Sequence, residues 1–185
     1  VSDGQGGTDT ATVTVTIDGL DDGPELASRL DLSGFTAFGQ GSWSIASDDL
    51  SVVQTINGDP TVYVSADSFI NSTFEGAFEV ETTGDDDYIG FVFGFGADPD
   101  DPFFLFDWKQ GPQSGSEPGA ALSRVTGGLG AIPFGNREED ATDYDVVDTF
   151  VGSGLGWRDN TEYRFRLIYE DDRIAIDLGG AAPFG

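Results

Sequence analysis

The sequence contains no cysteine, no histidine and no methionine, and only 8 lysines and arginines among 185 residues. Each shortage removes a class of chemistry. Without cysteine there is no disulfide framework and no thiol nucleophile. Without histidine there is no Ser-His-Asp arrangement and no zinc site of the common ligand types. Against the 8 bases stand 34 aspartates and glutamates, a formal net charge of −26. Such a chain repels phosphate backbones, so nucleic acid is excluded as a partner. No apolar run approaches the roughly 20 residues that a membrane-spanning helix needs, so no membrane insertion is expected. Val1 opens no charged-then-apolar signal segment, and the chain reads as a piece of a longer protein.

What is present points to a packed β-structure. Hydrophobic residues make up 38% and aromatics 12%, enough to bury a core in spite of the charge. The metal chemistry open to this composition is that of hard cations held by oxygen, calcium foremost.

Residues 1–24 differ from the rest. Ala11-Thr12-Val13-Thr14-Val15-Thr16-Ile17 alternates apolar and polar with period two, a half-buried strand, and stops at the acidic turn Asp18-Gly19-Leu20-Asp21-Asp22-Gly23-Pro24. From residue 25 to Gly185 short strands separated by Gly, Asp and Pro turns are predicted at Val52–Ile56, Thr61–Val64, Phe74–Glu81, Tyr88–Phe95, Phe103–Lys109, Ala121–Val125, Val146–Val151, Tyr163–Tyr169 and Arg173–Leu178. No stretch carries helical periodicity over several turns, so the expected fold is an all-β antiparallel sandwich. Phe91, Phe93, Phe95, Phe104, Phe106 and Trp108 recur at period two and are expected to share a core face, with Asp107 pointing the other way.

Carboxylates crowd the turns. Asp85-Asp86-Asp87 stands directly before Tyr88, Asp98-Pro99-Asp100-Asp101-Pro102 caps a hairpin tip, and Asn57-Gly58-Asp59-Pro60 is a turn with one acid. Unit charges ~4 Å apart repel by about 1 kcal/mol in water and several times that near a protein surface. A bound calcium ion would remove that repulsion; a solvated loop is the other reading of the same residues. Arg137-Glu138-Glu139-Asp140, with Asp143 and Asp145, is expected to form a mobile solvated loop. None of these clusters has the offsets of the helix–loop–helix calcium signature.

Two resemblances add to this reading. Val1-Ser2-Asp3-Gly4-Gln5-Gly6-Gly7-Thr8-Asp9-Thr10-Ala11-Thr12-Val13-Thr14-Val15, followed by Asp21-Asp22-Gly23-Pro24, resembles the last strand and linker of a cadherin-like or immunoglobulin-like extender repeat in large bacterial surface adhesins of the repeats-in-toxin type. That resemblance implies calcium at the linker, with Asp21 and Asp22 at the matching junction. The second is carried by Val53–Pro60, Phe74–Phe78, Asp85–Phe95, Phe103–Gln110, Glu117-Pro118-Gly119, Leu155-Gly156-Trp157-Arg158-Asp159 and Tyr163-Arg164 in order. This series is similar to the C-terminal lectin-like domain of thrombospondins. It implies a jelly-roll sandwich of the legume-lectin (concanavalin-like) type that binds calcium and mediates extracellular adhesion. Asp59, Asp85, Asp86 and Asp87 fall in that family's acidic turns and become candidate calcium ligands, together with Asp107.

The expected organisation is therefore a terminal strand and linker over 1–24 and a lectin-like sandwich over 25–185. The family closes with a glycine-rich turn and a final aromatic strand. Here the sequence stops at Ala181-Ala182-Pro183-Phe184-Gly185, so a closing strand is expected to be missing, through a split domain or a truncated piece. The leading functional expectation is a non-catalytic, calcium-stabilised adhesin module outside the cell. It would either contact a carbohydrate or protein ligand or present an inserted ligand-binding domain, beside adjacent adhesin domains. Trp43, Tyr63 and Trp157 are the aromatic candidates for a sugar. The alternatives are a jelly-roll glycoside hydrolase using Glu79 and Glu81, or a spacer without a ligand.

Overall fold

The computed structural model describes residues 29–83, 87–133, 137 and 142–179. The strand expected at Ala11–Ile17 and the linker acids Asp21 and Asp22 lie outside them. Eleven strands run through the described residues: β1 Phe35–Gly39, β2 Trp43–Ile45, β3 Val52–Gln54, β4 Thr61–Ser65, β5 Ser72–Phe78, β6 Tyr88–Phe93, β7 Phe103–Lys109, β8 Gly119–Val125, β9 Tyr144–Val151, β10 Tyr163–Tyr169 and β11 Ile174–Gly179. The one helical element among them is a single 3₁₀ turn at Leu129–Ala131. No described helix is long and apolar enough to cross a membrane.

All pairings are antiparallel. The largest sheet has the order β6-β7-β8-β9, a second has the order β11-β10-β5, and β1-β4 and β2-β3 form two-stranded ribbons. Aromatic rings join the two larger sheets into a sandwich. Phe91 of β6 lies 4.8 Å from Phe165 of β10, Trp108 of β7 lies 4.7 Å from Tyr163, and Phe93 lies 5.5 Å from Tyr169. Tilted and edge-on pairs at these spacings add about 0.5–1.5 kcal/mol each beyond the area they bury. Gly76 of β5 is required here, because a Cβ at that position would stand 2.6 Å from the Phe165 ring.

The opposite face of the larger sheet is covered as well, which the alternation pattern did not anticipate. Phe103, Val125, Leu129 and Tyr144 form a buried cluster there, with Phe38 of β1 and Val62 of β4 packed against it. The expected common face for Phe91, Phe93 and Phe95 fails at Gly94, whose φ of +67° breaks the alternation after β6. Phe95 consequently packs on Phe103 at 5.1 Å and Phe38 at 5.4 Å, on the side away from Phe91. The second face is also where the buried polar groups sit: Asp107 and Lys109 of β7 and Ser123 of β8 are 2%, 0% and 0% exposed.

Candidate functional site

The described acidic turns do not converge. Asp59 is exposed and accepts a hydrogen bond from Gln40 Nε2 at 2.9 Å. Asp87 is half-buried just before β6, and its carbonyl receives the Gln110 N–H at 3.4 Å. Asp85 and Asp86 fall outside the described residues, as do Asp21 and Asp22. In the hairpin tip between β6 and β7, the Asp98 carboxylate accepts the Asp100 N–H at 3.0 Å, a local turn bond of the kind short acids make. Among the described residues no three carboxylates come together in a group able to hold a metal ion. These residues by themselves do not fit a calcium centre.

Asp107 has a different setting from the other candidates. Strand alternation turns it away from Trp108 and into the covered face, where it meets Arg137 rather than another acid. Arg137 Nε donates to Asp107 Oδ1 at 2.9 Å, and Nη2 makes a second, shorter bond to the same oxygen. The guanidinium also donates to Gly119 O at 2.7 Å and Glu117 O at 3.2 Å, while the Arg137 N–H donates to Ser116 Oγ at 2.7 Å. The side chains of the pair are 6% and 3% exposed. The expectation of a mobile, solvated segment is therefore wrong at Arg137, whose side chain is drawn into the fold by the buried carboxylate.

Around this pair the polar groups are packed with little water contact. Tyr88 presents its ring to both cations: Lys109 Nζ lies 4.6 Å and Arg137 Cζ 5.3 Å from its centroid. Lys109 Nζ donates to Gln113 Oε1 at 3.0 Å. Ser123 Oγ donates to Tyr144 Oη at 2.9 Å in the interior. Burial pushes the Asp107 carboxyl above the ordinary aspartate range, although the charge and hydrogen bonds of Arg137 pull the other way. Burial likewise raises the hydroxyls of Tyr88 and Tyr144. Asp107 Oδ2 makes no close hydrogen bond, although the Tyr144 hydroxyl also acts on this carboxyl and favours its charged form. The arrangement has the chemistry of a structural clasp that fastens Arg137 to β7 and β8.

The aromatic ligand candidates are occupied by packing. Trp43 stacks on Tyr63 at 5.4 Å and its Nε1 donates to Thr61 Oγ1 at 2.8 Å. Trp157 is 3% exposed, and its buried indole N–H has no acceptor. Glu79 and Glu81 lie beyond the end of β5, both exposed. Sequence reasoning missed the part played by Arg137, whose partner stands 30 positions away in the chain.

Comparison with known proteins supports the second resemblance. Residues 39–129 match the family described as the thrombospondin C-terminal region. The chain is 31% identical to thrombospondin-3 of Mus musculus over 144 residues, 69% of this chain and 14% of that protein. It is 32% identical over 143 residues to the cartilage oligomeric matrix protein of Rattus norvegicus, covering 68% of the chain and 18% of the relative. With thrombospondin-4 of Bos taurus the identity is 30% over 163 residues, 75% and 17% of the two lengths. The matched segment thus spans less than a fifth of each of these relatives. Over its middle part this chain is a relative of the thrombospondin C-terminal region, and the all-β antiparallel sandwich in which that part lies is the fold such kinship implies.

Proposed function

We propose that this domain is a calcium-stabilised, non-catalytic module of extracellular adhesion, carried on a bacterial surface adhesin. There it contacts a ligand or presents a neighbouring domain that does. The observation that carries the reading is the similarity of residues 39–129 to the thrombospondin C-terminal region. The chemistry supports it. A chain of net charge −26 folds most readily where divalent cations are plentiful, and extracellular calcium modules bind with dissociation constants of roughly 10⁻⁴–10⁻³ M. Asp85, Asp86 and Asp87 would supply carboxylate oxygens at the start of β6, with turn carbonyls completing the shell; Asp107 is already held by Arg137. The bacterial setting rests on the extender-repeat likeness of residues 1–24.

Thermal melting in millimolar calcium and in excess EDTA tests the proposal. Chelation lowers the melting temperature, and sodium chloride at matched ionic strength restores it only in part. Superimposable curves in calcium and EDTA would refute calcium stabilisation.

A further inference from the structure

A recess of about 410 Å³ opens where the end of β7 meets the start of β10 and the Gly154–Gly156 loop. Its floor is aromatic. The Trp108 and Tyr163 rings meet edge to face, and Phe78 backs both at 6.0 and 5.8 Å. The polar atoms of these rings are already engaged: Trp108 Nε1 donates to Leu155 O at 2.7 Å, and Tyr163 Oη accepts the Arg158 N–H at 3.0 Å. Those bonds hold the wall in shape before anything binds, which lowers the ordering cost of binding.

The guanidinium of Arg158 at the rim is the unengaged group. It is exposed, and among the described residues it has neither an ion pair nor a side-chain hydrogen bond. Arg137, Arg164, Arg166 and Arg173 each pair with a carboxylate of this chain. Among the described residues Arg29 and Arg124 form no ion pair either, but neither lines the recess. A planar fork of donors beside apolar ring surface suits a ligand with one carboxylate and one apolar face. Thr161, also on the rim, donates to Asp159 O at 3.2 Å and keeps lone pairs that accept from a hydroxyl. The volume lies within the range of small-ligand sites, roughly 300–1,000 Å³.

We propose that this recess binds an acidic sugar, with the C–H face of the pyranose against Trp108 and Tyr163 and its carboxylate on the Arg158 fork. The inference rests on reading the domain as a ligand-contacting adhesion module and names the ligand's chemistry. The field of a −26 chain opposes anions at long range, so recognition acts at contact distance. Assays belong at about 0.15 M salt, where screening reaches ~8 Å.

The test is a ¹⁵N-resolved NMR titration of the whole chain, in calcium, with D-glucuronate, N-acetylneuraminate and D-glucose. At roughly 10 mM, ten times a millimolar dissociation constant, both acids are expected to move the Trp108 indole N–H and the Arg158 and Tyr163 amides, and glucose is not. The tighter of the two acids identifies the source of the carboxylate. Arg158→Gln is expected to weaken acid binding about tenfold or more, Arg158→Lys less, with melting in calcium unchanged for both. No movement at Trp108, equal binding of glucose, or wild-type affinity in Arg158→Gln would overturn the proposal. Sugar binding and calcium-dependent melting are read separately. An empty recess in a protein that still melts lower in EDTA removes the site alone, whereas identical melts with sugar bound remove the calcium reading alone.

Discussion

Removing the Arg137 side chain isolates the energetics of the buried clasp. Arg137→Ala leaves the Asp107 carboxylate 2% exposed with no cation bonded to it, and frees the Gly119 and Glu117 carbonyls of their side-chain donor. Breaking a buried pair by deleting one partner costs about 3–5 kcal/mol, most of it the uncompensated charge. For a domain of this size 1 kcal/mol moves the melting temperature by roughly 2–4 °C, so about 6–20 °C is expected. Asp107→Asn should cost less, because a neutral amide tolerates burial better than a lone carboxylate and still accepts from the guanidinium. The double variant Asp107→Leu, Arg137→Met should recover much of the loss, since apolar replacement of a buried pair is often neutral. Circular-dichroism melts and guanidinium titrations of the four proteins measure these differences. A loss below about 1 kcal/mol in Arg137→Ala, with a double variant no better than the single, would refute the claim that Arg137 compensates a buried charge.

Other consequences are equally open to measurement. Burial raises the Asp107 carboxyl, so folding holds its proton up to a higher pH than the unfolded chain does. Its contribution is complete below the ordinary aspartate range and disappears as pH rises through the folded value. The repulsion of 34 acids against 8 bases has the same sign. The protein should therefore melt higher near pH 5 than at pH 7.5 in low-salt, calcium-free buffer; a lower melt at pH 5 would contradict this. Gly76→Ala forces a methyl to within 2.6 Å of the Phe165 ring and should cost about 1–3 kcal/mol by overpacking, visible as a shifted denaturation midpoint at unchanged slope. Calcium at ~100 times its dissociation constant should add about 2.7 kcal/mol per site, a rise of roughly 5–10 °C over the EDTA melt.

Strands β7 and β10 were legible end for end because alternating aromatic and aliphatic residues leave one satisfactory pleat. The Tyr88–Phe95 reading ran two residues too far, since a strand pattern does not reveal the positive φ of Gly94. The short β1 and β2 were missed; five and three residues beside glycine turns carry too little periodicity to register. Phe74–Glu81 was placed too late, with Glu79 and Glu81 beyond the actual strand end at Phe78. The candidate site was less legible than the fold. Alternation turns Asp107 away from Phe106 and Trp108, but whether that side is wet or dry depends on what covers it.

Composition and local pattern alone were sufficient to exclude disulfides and histidine chemistry, and to point to a β-sandwich with acidic turns. They act through residue type and nearest neighbours along the chain, which sequence records directly. Only the tertiary structure decided that both faces of the four-stranded sheet are covered, that Arg137 is spent on Asp107, and that Trp108 and Tyr163 floor a recess bordered by Arg158. Those outcomes turn on contacts between residues tens of positions apart, where burial reverses the meaning of a charge and chain order carries no sign of it.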